Sequence, residues 1–179
     1  YILREIGTPA VEPVAQALTP IVPGRTRLLV QVLEQVHDAH AIQPLLALLQ
    51  TPSISQDDPL LVIALIRSLS QFAAKQVVAP ILNVLSNPLP QIYEEAIDAL
   101  SSLGNIALDT LIAALDVRED TPDALSSLAR IRRAILGMHP FPGEALINVL
   151  GQVNDRQAQQ IMTIFRMQGA DAAHVLVQH

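Results

Sequence analysis

The side chains able to do chemistry in this chain are few, and their spacing works against them. His37 and His40 stand three apart, close enough to share a metal ion on one helix, but Asp38 lies between them in a turn. No third and fourth ligand follows at the spacing that a closed zinc site needs. Carboxylates sit side by side at Asp57-Asp58, Glu94-Glu95 and Glu119-Asp120. The first reads as a helix cap, the second as a solvated helix face and the third as an inter-repeat loop. Adjacent residues on a helix point in different directions, so none of these makes an acid–base couple. Arg130, Arg132 and Arg133, with Arg118 nearby, form the one basic concentration. It suits a phosphate or an acidic partner, or else internal pairing with Glu119, Asp120 and Asp123. His139 falls in a proline-rich turn and reads as a loop histidine. A glycine-rich phosphate loop, a nucleophile elbow and a zinc motif are all missing. No catalytic residue, metal ligand or cofactor is assigned, and the chain is not expected to be an enzyme.

Composition narrows the classes further. Half of the 179 residues are hydrophobic and 16% are charged, so the apolar content is ample for a core. The longest apolar run, Leu60 to Ile66, is closed by Arg67, well short of the 18 or so residues of a membrane span. The apolar residues must therefore be spread over many short helices. With two Tyr, three Phe and no Trp, the core has to be aliphatic. Net charge is −6 and Lys75 is the sole lysine, which argues against nucleic acid as a partner. The chain has no cysteine, hence no disulfide and no thiolate chemistry; a cytoplasmic setting is expected.

The elements that would position any site come from a repeat. Pro13-Val-Ala-Gln-Ala-Leu18, Pro44-Leu-Leu-Ala-Leu-Leu49, Pro80-Ile-Leu-Asn-Val-Leu85, Thr110-Leu-Ile-Ala-Ala-Leu115 and Ala145-Leu-Ile-Asn-Val-Leu150 are copies of one pattern. Their terminal leucines are 31, 36, 30 and 35 residues apart, a period that signals stacked helical hairpins. Each copy reads as helix A, a turn, then helix B. In the second, Leu28, Leu29, Val32 and Val36 carry helical spacing from Arg25 to Val36, and helix B runs from Ala41 to Gln50. The third opens on Asp58-Pro59, a cap and a first-turn proline, with its A helix reaching about Phe72 and its B helix running from about Lys75 to Leu85. The fourth opens at Pro90, keeps Ile92, Ala96, Leu100 and Leu103 on one face, and turns at Gly104-Asn105. The fifth opens at Thr121-Pro122 and turns through residues 137–143, with the three arginines placed where the fourth has Ile97, Ala99 and Leu100. Prolines 13, 44 and 80 are expected in the first turn of helix B, where a missing N–H costs little.

The pattern Ala-Val-x-Pro-Leu-x-x-x-Leu after a helix ending in Leu/Ile-Gly resembles bacterial HEAT repeats of the short type. It is carried by Ile6-Gly-Thr-Pro-Ala-Val-Glu-Pro-Val14, Ala39-His-Ala-Ile-Gln-Pro-Leu45 and Leu103-Gly-Asn-Ile-Ala-Leu-Asp-Thr-Leu111. The resemblance covers essentially the whole chain. It implies an all-α fold, a right-handed α-solenoid of about five stacked HEAT-like hairpins forming one array over residues 1–179. Residues 1–7 align with the end of a helix A, with Leu3 on Leu100 and Ile6 on Leu103. Residues 169–179 align with residues 7–17, so the expectation is a segment of a longer array. Such repeats occur in regulatory and scaffold proteins, and also in phycobilisome bilin lyases of the E/F kind.

In a stack of this kind helix B lines the concave surface. One outward column reads Glu12, Gln43, Ala79, Asp109, Glu144 and His174; a second reads Gln16, Ala47, Asn83, Ala113, Asn148 and Gln178. Both are small or polar, with carboxylates and no cation of their own, which suits a basic or polar protein segment. The expected role is a protein-interaction scaffold or regulatory module binding through Glu12, Gln16, Gln43, Asn83, Asp109, Glu144, Asn148 and His174. The alternatives are a component of an E/F-type bilin lyase or related chromophore-attachment assembly, and a passive spacer.

Overall fold

The computed structural model describes residues 9, 11–18, 22, 24–36, 38–51, 58–118 and 120–169. Among them the structure is all-helical, with ten α-helices and no strand. These are α1 (Val11–Ala17), α2 (Arg25–Val36), α3 (Ile42–Leu49), α4 (Pro59–Gln71), α5 (Lys75–Val84), α6 (Pro90–Leu103), α7 (Asn105–Ala114), α8 (Pro122–Leu136), α9 (Gly143–Val149) and α10 (Asp155–Gln168). A 3-10 turn, Ala39–Ala41, leads into α3. No helix is long and apolar enough to cross a membrane among the described residues. The aligned chain ends, His174 and Gln178 among them, lie outside the described residues, as do His37, Asp57 and Glu119.

The helix starts follow from local chemistry. Asp58 accepts the backbone N–H of Leu61 at 3.0 Å and Thr121 that of Ala124 at 3.2 Å, each ahead of a proline at the first helical position. Asn154 and Gln157 exchange side-chain and backbone hydrogen bonds at 3.0 and 3.1 Å, a capping box that opens α10. The turn from α6 to α7 passes through Gly104 at φ +53°, where an L side chain would be strained. The longer turn from α4 to α5 puts Ala73 at φ 47°, so a positive φ is reached there without glycine. The proline rule holds for two of the three B helices: α1 and α3 begin two residues before Pro13 and Pro44. Helix α5 begins five residues before Pro80, which is therefore inside the helix. The carbonyl that loses its partner there is that of Gln76, an exposed residue that solvent can satisfy.

Packing follows a regular order. Helices α2, α4, α6, α8 and α10 lie each against the next, forming an A layer. On the B side α3 packs on α5 and α5 on α7, while α3, α5 and α7 also touch the following A helices α4, α6 and α8. The core lies between, built from aliphatic residues at three- and four-residue spacing: Leu61, Leu65 and Leu69 in α4; Ile92, Ala96, Leu100 and Leu103 in α6; Leu108, Leu111 and Leu115 along α7. Leu18, Leu85 and Leu115, which end the repeated pattern, are buried, and Leu49 and Leu150 are half-buried. In the fifth copy the long turn folds inward: Met138 is buried, and Phe141 meets Phe165 of α10 edge to face with ring centres 6.0 Å apart. A Cβ at Gly137 would stand 2.7 Å from the Ser101 hydroxyl oxygen, whose single hydrogen is shared between the carbonyls of Ile97 and Ala134, each at 2.8 Å.

The register of α8 corrects the sequence reading. Its buried face is Leu128, Ile131, Ala134 and Ile135. Leu146 and Leu150 follow Leu111 and Leu115 by 35 residues, and the same shift sets Ile131, Ala134 and Ile135 on Ala96, Ala99 and Leu100, all buried. The arginines then fall on Glu95, Ile97 and Asp98, two residues from the positions expected. Burial of the aliphatic stripe decides the register, and it moves Arg130 and Arg133 off the buried face, Arg130 to half-buried and Arg133 to exposed positions.

Candidate functional site

The two layers use their polar residues differently. In the A layer several charges tie one helix to the next, while Arg25, Asp98 and Asp123 form no ion pair among the described residues. Arg27 of α2 reaches the Asp58 carboxylate at 2.9 and 3.2 Å, so the residue that caps α4 also pins it to its neighbour. Glu34 accepts from Ser68 and Gln71 of α4 at 3.2 and 2.5 Å. Arg67 of α4 grips Glu95 of α6 with two hydrogen bonds at 3.1 and 2.7 Å, and Arg133 of α8 grips Glu94 with two at 2.8 and 2.7 Å. Glu94 and Glu95 are therefore no simple solvated face. Consecutive side chains on a helix diverge by about 100°, which sends these two carboxylates to opposite neighbours. Arg156 of α10 adds a looser pair to Asp116 at 3.4 Å.

The arginine concentration divides by function. Arg130 lays its guanidinium 3.7 Å over the Tyr93 ring and donates Nη1 to the carbonyls of Leu85 and Asn87, the open C-terminal end of α5. Arg133 is held by Glu94. Neither Asp120 nor Asp123 forms an ion pair among the described residues, so the partners lie one helix away and not nearby in sequence. The Arg133 hydrogen bonds, reinforced by its charge and that of Arg130, hold the Glu94 carboxyl below its ordinary range against the opposing effect of partial burial. A depressed folded-state pKa contributes stability that is present above the unfolded pKa and lost as pH falls through the folded one. Both groups are about half exposed, which limits the pair to about 1 kcal/mol or less. A carboxyl NMR titration should place Glu94 below its unfolded range, and Arg133→Ala should move it back up. A midpoint unchanged by that substitution would remove the assigned cause.

The B layer keeps a different surface. Of the two outward columns, Glu12, Gln43, Ala79, Asp109 and Glu144 are exposed, and so are Gln16, Ala47, Asn83, Ala113 and Asn148; His174 and Gln178 lie outside the described residues. Each sits opposite a buried residue of the same helix, as with Asp109 against Leu108 and Leu111 in α7. Gln16 donates to Glu12 at 3.1 Å along α1, and Gln43 to Gln76 at 3.5 Å across α3 and α5. Beside the columns, which hold no cation of their own, Lys75 at the start of α5 places Nζ 3.9 Å from the Asp109 carboxylate, both strongly exposed.

The two described histidines, His40 and His139, make no centre. Asp38 accepts the His40 backbone N–H at 2.8 Å and stands 2.6 Å from its Nδ1, an arrangement that closes the 3-10 turn before α3. His139 is exposed in the loop before α9. Among the described residues no three histidines or carboxylates gather as a metal site would require. A scan against protein-family models and a search of curated proteins each found no match.

Proposed function

We propose that the chain is a right-handed α-solenoid of HEAT-like repeats that serves as a protein-interaction scaffold or regulatory module. Its partner lies along the B layer, the concave side of such a stack, across Glu12, Gln16, Gln43, Asn83, Asp109, Glu144 and Asn148. The observation carrying this reading is the contrast between the layers. Arg27, Arg67, Glu94, Glu95 and Arg133 of the A layer are engaged in joining one helix to the next. The ten described column positions of the B layer are exposed, small or polar, and none makes an ion pair except Asp109. Stacking does not require that face, which leaves it to a partner. Its three carboxylates against one lysine favour a basic or polar segment.

The test is affinity capture with the wild-type chain and with the triple variant Glu12→Arg, Asp109→Arg and Glu144→Arg. All three positions are exposed, so thermal unfolding should be nearly unchanged. The partner retained by the wild type should bind the variant at least about tenfold more weakly, with a shallower salt dependence. Undiminished binding would leave stacking as the only task of these helices and the chain as a spacer.

A further inference from the structure

A cleft of about 330 Å3 opens where the C-terminal ends of α3 and α5 lie beside α4. Its apolar lining is Leu49, Val62, Pro80 and Val84, half-buried or buried, and the exposed residues Gln50 and Asn83 also line it. Two further polar groups on its edge are already engaged in the turn after α5. The Ser86 hydroxyl donates to the Asn83 carbonyl at 2.8 Å, and Asn87 Oδ1 accepts the Leu89 N–H at 2.9 Å. The side-chain amides of Gln50 and Asn83 make no hydrogen bond among the described residues. Among the described residues no ionisable side chain lines the cleft, so a charged group entering it would lose solvation without compensation from them. Its volume stands at the small end of the roughly 300–1,000 Å3 of ligand pockets, room for one large side chain. A carboxamide both donates and accepts, which matches a main-chain peptide group.

We infer that this cleft receives one large uncharged apolar side chain of an extended peptide, whose main-chain amide bridges Gln50 and Asn83. The inference rests on the B layer being the binding face, because Asn83 belongs to its second column. It adds a selectivity that the carboxylates do not supply: an apolar anchor between the polar contacts, placed at the junction of the second and third copies.

Methyl and amide NMR titration of the 179-residue chain with N-acetyl-L-phenylalaninamide tests it, with N-acetyl-L-lysinamide and N-acetyl-L-glutamic acid α-amide as charged counterparts. Saturable shifts are expected at the methyl groups of Leu49, Val62 and Val84, at concentrations at least tenfold lower for the aromatic amide than for either charged one. Asn83→Trp plugs the mouth from an exposed position and should abolish the shifts while leaving thermal unfolding in place. Shifts that do not saturate, that persist in Asn83→Trp, or that respond equally to the charged amides would overturn the inference. Reversal of Glu12, Asp109 and Glu144 does not touch the cleft lining. Partner binding lost by that reversal together with a silent cleft would overturn the anchor alone, while a working cleft with insensitive binding would overturn the carboxylate face alone.

Discussion

Leu65→Ala is expected to destabilise the chain by about 3 kcal/mol, within the range of fully buried leucine truncations. Leu65 is fully buried in α4, and α4 is packed against α2 on one side and α6 on the other. Arg27–Asp58 and Arg67–Glu95 hold it to both neighbours, so the helix has little freedom to collapse into the space left behind. In a chain of this length such a loss lowers the melting temperature by roughly 10 °C. Leu60→Ala on the same helix is the control: Leu60 is 56% exposed, and its truncation should cost no more than about 0.5 kcal/mol. Urea or thermal unfolding of the two variants measures the difference. Equal effects would mean that α4 is not held between two neighbours as described.

Arg130→Ala should cost about 2 kcal/mol, the sum expected from two charge-assisted hydrogen bonds to carbonyls and one stacked ring, reduced for partial exposure. The guanidinium closes the C-terminal end of α5 at Leu85 and Asn87 while resting on Tyr93 of α6, so one side chain of α8 reaches two earlier helices. Arg130→Lys keeps the charge and loses the planar fork and most of the stacking, and should recover less than half of the loss. Arg133→Ala, whose exposed pair with Glu94 is screened, should cost less than about 1 kcal/mol. If Arg133→Ala proved the more damaging of the two, the division of labour within this arginine group would be wrong.

The A-helix boundaries could be read closely from residues alone because caps and prolines mark them: Asp58-Pro59 and Thr121-Pro122 stand where α4 and α8 begin, and Gly104 where α6 turns into α7. The outward columns followed from period and helical spacing, and their exposed positions fit a helix with one face buried. What escaped were relations between helices. Glu94 and Glu95 look alike in sequence, yet the turn of the helix assigns one to α8 and the other to α4. Lys75 was legible as the start of α5, but its approach to Asp109 was not, because that pair joins two helices. The cleft beside Asn83 combines residues of three helices, which periodicity within one helix does not join. Helix α10 had a usable signal, Asn154-x-x-Gln157 ahead of Ile161, Ile164 and Phe165, in a stretch that carries no copy of the Pro-x-x-x-x-Leu pattern.

The central claim is that a partner engages the B layer and not the A layer. Site-specific photo-crosslinking decides it, with benzoylphenylalanine placed in turn at Ala47 and Ala113 on the B columns and at Gln91 and Ala129 on exposed positions of α6 and α8. All four side chains point to solvent, so the probe itself should disturb folding little. Ala47 and Ala113 are expected to cross-link to one and the same partner polypeptide, and Gln91 and Ala129 to none. Cross-links confined to Gln91 and Ala129, with none from the B columns, would contradict it.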